Sequence, residues 1–194
     1  MITRVLSLLV LAGVAPLLQG CFAAAAVGVG AAAMIAEDRR TTGIYFEDQN
    51  IELKVRSAIS DKYGKDENVD VNAISFNRFV LLLGEAPSEE VKRDIGVTAL
   101  GVENVRNVQN EISVGPKASV SQRSTDSLTT SKVKSRFLTE NKFQVNYVKV
   151  ATRRDAVYLM GLVTAKEAED ATELARTTGG VQKVVRVFEI TENP

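Results

Sequence analysis

The sequence predicts an α+β chain made of two copies of one αββαβ unit, each a three-stranded mixed sheet with two helices on one face. Three observations predict it. Short segments recur at nearly constant spacing. Leu53-Lys54-Val55-Arg56-Ser57 returns as Ser131-Lys132-Val133-Lys134-Ser135, Leu82-Leu83-Gly84 as Leu159-Met160-Gly161, and Gly101-Val102-Glu103-Asn104-Val105 as Gly180-Val181-Gln182-Lys183-Val184, at offsets of 78, 77 and 79 residues. Apolar residues follow a helical period in some segments and alternate in others. Glycine, proline and asparagine fall between those segments, where chain breaks are needed.

The first copy spans residues 48–114. Ile51, Val55, Ala58 and Ile59 sit at i, i+4, i+7 and i+8 and form one helical stripe. A strand follows over 69–76, Asn77-Arg78 turns the chain, and a second strand over 79–83 is ended by Gly84. Pro87 stops further extension, and Ser88 opens a second helix with Glu89 and Glu90 in its first turn. Gly101 ends that helix, and residues 105–114 alternate as a third strand. The second copy, 126–192, repeats the order: helix 127–139, strands 144–152 and 157–163, helix 165–177 and strand 182–191. The interval from Gly84 to Gly101 is two residues shorter than that from Gly161 to Gly180, which predicts a shorter second helix in the first copy. Gly115-Pro116 with Ser119, Ser121, Ser124 and Thr125 marks a linker over 115–125.

Residues 1–20 read as a secretory signal, with Arg4 as the charged start and an apolar run from Val5 to Leu18 that is short for a membrane span. The run ends in Leu18-Gln19-Gly20-Cys21. This resembles the bacterial lipobox, in which a cysteine after a small residue becomes the lipid-bearing first residue of the mature protein. The resemblance makes Cys21 the lipidation site, and several acyl chains anchor stably where one does not. Phe22 rather than Asp follows, which in the sorting pattern of such lipoproteins implies the outer membrane. Residues 22–36 are nearly all Ala, Gly and Val and, with the segment to 47, read as a spacer. A second membrane-contacting segment is the alternative for 22–36.

Composition removes several chemistries. The chain has no His and one Cys, so it holds no imidazole-based triad, no Cys-His pair and no thiolate zinc site. Carboxylates are the remaining acids and bases, but Glu89, Glu90, Glu167, Glu169 and Asp170 fall at helix starts, where they complement the helix dipole. Gly84, Gly161, Gly101 and Gly180 lack phosphate-loop spacing and fit strand exits and helix ends that need positive φ or close backbone approach. No enzyme, cofactor or metal site is expected. A formal net charge of zero argues against a nucleic-acid binder.

That zero hides an asymmetry. Residues 48–114 carry 8 Lys+Arg and 12 Asp+Glu (8 − 12 = −4), and residues 125–192 carry 11 and 9 (11 − 9 = +2). Positive charge gathers between Lys117 and Arg154. The first helix of the second copy holds Lys132, Lys134 and Arg136, and Leu128 lies five residues, about 140° around the helix, from the core position Val133. An apolar residue on a basic helix suits insertion among anionic head groups. A solvated basic face with one surface Leu is the other reading, and the residues alone leave both open. Apolar residues at consecutive positions in 79–83 and 157–160 require cover on both faces of each sheet, either by the other copy or by a partner.

The repeated unit resembles the BON domain. Lys132-Val133-Lys134-Ser135, Val148-Lys149-Val150, residues 157–163 and Gly180-Val181 with Val184 carry the resemblance in the second copy. Leu81-Leu82-Leu83-Gly84, Gly101-Val102, Val105 and residues 107–112 carry it in the first. With the lipobox included, the whole chain resembles dual-BON outer-membrane lipoproteins. The resemblance implies anchorage at the inner leaflet facing the periplasm, a role in outer-membrane integrity, and binding of anionic phospholipid through Leu128, Lys132, Lys134 and Arg136. The chain has no Trp to sit at the interface, so weaker insertion is expected. The competing expectation is a periplasmic adaptor that binds an envelope protein, for envelope assembly or cell-wall hydrolase regulation, through a sheet edge or an apolar strand face. Oligomeric state stays open.

Overall fold

The computed structural model describes residues 38–192. The expected signal segment, the lipidation site Cys21 and the spacer up to residue 37 lie outside the described residues.

Helix α1 (Thr42–Tyr63) begins where the Thr41 hydroxyl accepts the Ile44 amide. It starts before residue 48, so residues 42–47, expected as spacer, are its first turns. Ile51, Val55 and Ile59 are buried as their spacing requires, and Ala58 is half-buried at the edge of the stripe. Strands β1 (Asp70–Phe76) and β2 (Phe79–Ala86) form a hairpin, and β3 (Asn107–Val114) pairs parallel to β2 after the crossover helix α2 (Glu89–Leu100). Ser88 caps α2 by accepting the Val91 amide.

The second domain repeats this order. Helix α3 (Val120–Glu140) is capped by the Ser119 hydroxyl and closed by Asn141 in the left-handed region. It begins well before residue 127: residues 120–125, expected in the linker, are helical, and the connection shrinks to 115–119. A 3-10 turn (Val145–Tyr147) replaces the start of the expected strand, which is β4 (Val148–Arg153). Then come β5 (Ala156–Val163), helix α4 (Ala165–Arg176) and β6 (Lys183–Ile190). Thr164 and Glu167 form a reciprocal capping box on α4. Helices α2 and α4 are both 12 residues long, so the expected difference lies in the loop after α4.

The two matched glycines do not end their strands. Gly84 sits inside β2, paired with Val71 on one side and Ile112 on the other, and Gly161 sits inside β5 between Val148 and Phe188. A Cβ on Gly84 would collide with the Asp70 carbonyl oxygen, and one on Gly161 with that of Tyr147. Close approach of the neighbouring backbone therefore requires glycine at both places.

Each sheet is covered on both faces, which accounts for the consecutive apolar residues. Val80 and Leu82 enter the core beneath α1 and α2, and Val157 and Leu159 the core beneath α3 and α4. The intervening Leu81, Leu83, Tyr158 and Met160 meet in a third core with Phe76, where the helix-free faces of the two sheets pack together. The domains thus form one four-layer body with a shared central core.

Both hairpins turn through two non-glycine residues with positive φ, Asn77 (52°) and Arg78 (63°) in one, Arg154 (49°) and Asp155 (61°) in the other. Non-glycine residues avoid this region, so something must hold them there. A buried helix carboxylate does so in each copy. Asp48 of α1 accepts the amides of Asn77 and Arg78 at 2.8 and 2.7 Å. Asp126 of α3 accepts those of Arg154 and Asp155, both at 3.0 Å.

Candidate functional site

Helix α3 buries Asp126, Thr129, Val133 and Phe137. Its opposite side presents Val120, Leu128 and Leu138, which are 71%, 63% and 62% exposed. The hydroxyls along the helix turn inward on its own backbone: Ser124 donates to the Val120 carbonyl, Ser127 to that of Arg123, Ser131 to that of Ser127 and Thr139 to that of Ser135. This leaves a surface of exposed aliphatic side chains and satisfied small hydroxyls.

Leu128 points to solvent, as its 140° separation from Val133 requires. Lys132, one turn on, and Lys134 on the other flank are exposed, and neither makes an ion pair among the described residues. Arg136 is placed differently. Its guanidinium donates to the Leu174 carbonyl at 2.8 Å and to the Thr177 and Thr178 hydroxyls at 2.7 and 3.2 Å. It therefore fastens α3 to the carbonyl end of α4, where the helix dipole favours a cation. The structure brings Leu128, Lys132 and Lys134 to one outer surface and turns Arg136 aside. Leu138 was missed, although it lies five residues after Val133 as Leu128 lies five before, and the same arithmetic finds it. Among the described residues no helix is long and apolar enough to cross a membrane.

Much of the basic stretch serves the domain junction. Arg153 binds both Glu85, which is fully buried, and Asp70, the latter at 2.7 Å. Arg154 binds Glu85 at 3.0 Å, Arg123 reaches Asp70 at 3.4 Å, and Lys149 joins Glu52 and the Ser75 carbonyl, both at 2.8 Å. The acidic excess of the first domain and the basic excess of the second thus meet across the sheets. Burial pushes the Glu85 carboxyl up, but hydrogen bonds from Arg153, the Ala118 amide and Arg154 outweigh it and hold the group below the usual carboxylate range. Asp70 is also held low, since Arg153, Arg123 and Lys117 outweigh its desolvation. A sequence-level sum of charge cannot separate a junction cation from a surface one, and no local signal distinguishes Arg153 from Lys132.

Adjacent arginines bind the start of α1 to both domains. Arg39 grips Glu167 through two bonds of 2.6 and 3.0 Å and stacks over the Tyr147 ring at 4.0 Å. Arg40 pairs with the buried Asp48 at 2.7 Å and lies over Phe76 at 3.8 Å. Glu89 and Glu90 lie in the first turn of α2 and Glu167 in that of α4, as the dipole reading expects, whereas Glu169 and Asp170 fall beyond the first turn and Asp170 pairs with Lys142 and Lys166.

Comparison with known proteins places this geometry. The BON domain family model matches residues 47–116 and again 125–192. The chain is 40% identical over 181 residues, 93% of its length and 94% of the relative's, to the outer membrane lipoprotein DolP of Haemophilus influenzae. It is 34% identical to a 21 kDa hemolysin of Actinobacillus pleuropneumoniae, covering 78% of each chain. It is 28% identical to the osmotically-inducible protein Y of Escherichia coli, covering 73% of this chain and 72% of that one.

Proposed function

The chain belongs to the BON domain family, as a DolP-like protein with two such domains, and on that premise we propose a non-enzymatic outer-membrane lipoprotein that faces the periplasm and binds anionic phospholipid through the outer surface of α3. Its cellular role in this reading is to help maintain outer-membrane integrity. Cys21 supplies the anchor. The observation that carries the lipid reading is the outer surface of α3, where Leu128 and Leu138 stay exposed beside two lysines without ion-pair partners. Aliphatic side chains that enter the head-group region lose contact with water, and each lysine near an anionic surface adds about 1 kcal/mol. Arg136 supports the site by fixing α3 against α4 rather than by touching head groups. The relative named as an outer membrane lipoprotein supports the compartment.

Co-sedimentation with vesicles tests this. Reversing both lysines (Lys132→Glu with Lys134→Glu) removes about 2 kcal/mol of attraction, so affinity for anionic vesicles falls about 30-fold or more at low salt. Neutral phosphatidylcholine vesicles serve as the baseline. Unchanged binding by this variant would sink the lipid reading.

A further inference from the structure

The outer edges of the two sheets are finished differently. In the first domain β3 closes its own edge: the Val108 amide donates to the Asn107 side chain at 2.8 Å and the Ile112 amide to that of Asn110 at 3.2 Å. Gln109 and Glu111 also pair with each other along the strand. In the second domain the β5–β6 register places Lys183 where β3 has Asn107 and Arg186 where it has Asn110. Lysine and arginine donate only and cannot cap an amide. The amides equivalent to those of Val108 and Ile112 belong to Val184 and Phe188. They face an edge with which no other described strand pairs. Lys183 and Arg186 are exposed and have no ion-pair partner among the described residues. The eight-residue strand has no proline and no bulge, so its exposed cations Lys183 and Arg186 are what guards the edge, and they disfavour a basic strand more than an acidic one.

A cleft of about 190 Å³ opens beside this edge, between the two sheets. Phe76, Phe79, Met160 and Val187 line it together with the polar Gln109, Arg186 and Glu189. An enclosed apolar cavity of about 150 Å³ accepts a benzene ring, whereas a drug-sized ligand needs roughly 300 Å³ or more. The cleft therefore fits one aromatic or branched side chain.

We propose that β6 is a docking edge for an extended acidic peptide segment of another protein. The segment adds a fourth strand to the second sheet, its main chain bonding the open amides of β6. One apolar side chain enters the cleft, and flanking carboxylates meet Lys183 and Arg186. Charge complementarity selects an acidic segment, and main-chain pairing selects an extended one. The proposal does not depend on the lipid surface of α3.

Methionine-methyl NMR of the full chain in detergent micelles tests it. Met160 lines the cleft, and Met160→Leu assigns its signal. The probe is an acetylated, amidated Glu-Val-Val-Glu-Phe peptide, whose carboxylates fall on opposite faces as Lys183 and Arg186 do, compared with Lys-Val-Val-Lys-Phe. The acidic peptide should shift the Met160 signal saturably, and the basic peptide should bind at least tenfold more weakly. Restoring the asparagine caps (Lys183→Asn with Arg186→Asn) should weaken the acidic peptide at least tenfold with an unchanged thermal melt. The reciprocal change (Asn107→Lys with Asn110→Arg) leaves β6 intact and should leave the Met160 response as it was. Reversing Lys132 and Lys134 should also leave it unchanged. No saturable Met160 shift, equal binding of the two peptides, or indifference to the asparagine pair would each overturn the proposal.

Discussion

The two domains match element for element, from the length of the second helix to the carboxylate that pins each hairpin turn, yet they differ wherever side chains meet something outside their own core. The first carries the acids of the junction and closes its sheet edge with Asn107 and Asn110. The second carries the bases, shows Leu128 and Leu138 beside lysines that have no ion-pair partner among the described residues, and leaves β6 without a neighbouring described strand. Duplication preserves what packing and backbone hydrogen bonding demand of any copy. The surfaces are under no such demand, so the copies are free to differ there.

The comparison breaks first, if it breaks, in the cores. Phe137→Ala should destabilise the chain by about 3–5 kcal/mol, and Ile59→Ala, its counterpart, by about 2–4 kcal/mol. Urea unfolding should show one transition for each variant, because the central core joins the sheets. Two separate transitions would mean that the domains are independent.

The turn carboxylates come next. Asp48→Ala removes the ion pair to Arg40 and the acceptor of two turn amides and the Ser75 hydroxyl, and should lose about 3 kcal/mol or more. Asp126→Ala leaves two amides without a buried ion partner and should lose about 2 kcal/mol. Equal losses would mean that the Arg40 pair contributes nothing.

Acid should then act on the junction. Glu85 and Asp70 are held below their ordinary values of 4.5 and 3.8. Their contribution is therefore fully present above about pH 4.5 and fades as the pH falls through the lower folded values. Hydrogen exchange should accelerate in β1 and β4 below that pH, before it does in the strand centres of the helix-side cores. Glu85→Gln should flatten this dependence, and a profile like wild type would count against the junction as its cause.

The smallest expected effect lies on the helix faces. Leu138→Ser should weaken binding to anionic vesicles about fivefold, equivalent to about 1 kcal/mol. Leu53→Ser on α1, similarly exposed at 61%, should leave it unchanged, since the matching cations of α1 are engaged, Lys54 with Glu103 and Arg56 with the Glu52 carbonyl. Equal losses would make lipid contact a property of both domains.

The repeat, the order of elements and the buried stripes were legible in the sequence because they depend on local period: Ile51, Val55, Ile59 and Val133, Phe137 are buried by helical geometry alone. The exposure of Leu128 followed from the same geometry. Gly84 and Gly161 were legible as places of close backbone approach, but Gly84 reads as a strand end because a neighbouring strand's carbonyl is not visible from one strand. The early starts of α1 and α3 were hidden in polar turns with no apolar period to mark them.

By itself, then, the sequence determined two αββαβ units, their cores and an exposed Leu128, all of which arise from residues close in the chain. Only the tertiary structure decided which charges stay available. Arg123, Lys149, Arg153 and Arg154 are drawn to Asp70, Glu85 and Glu52, and Arg136 to the end of α4, while Lys132, Lys134, Lys183 and Arg186 keep no ion-pair partner among the described residues. The physical reason is that Coulomb attraction and hydrogen bonding act across space, between side chains whose separation along the chain says nothing of their distance in the fold.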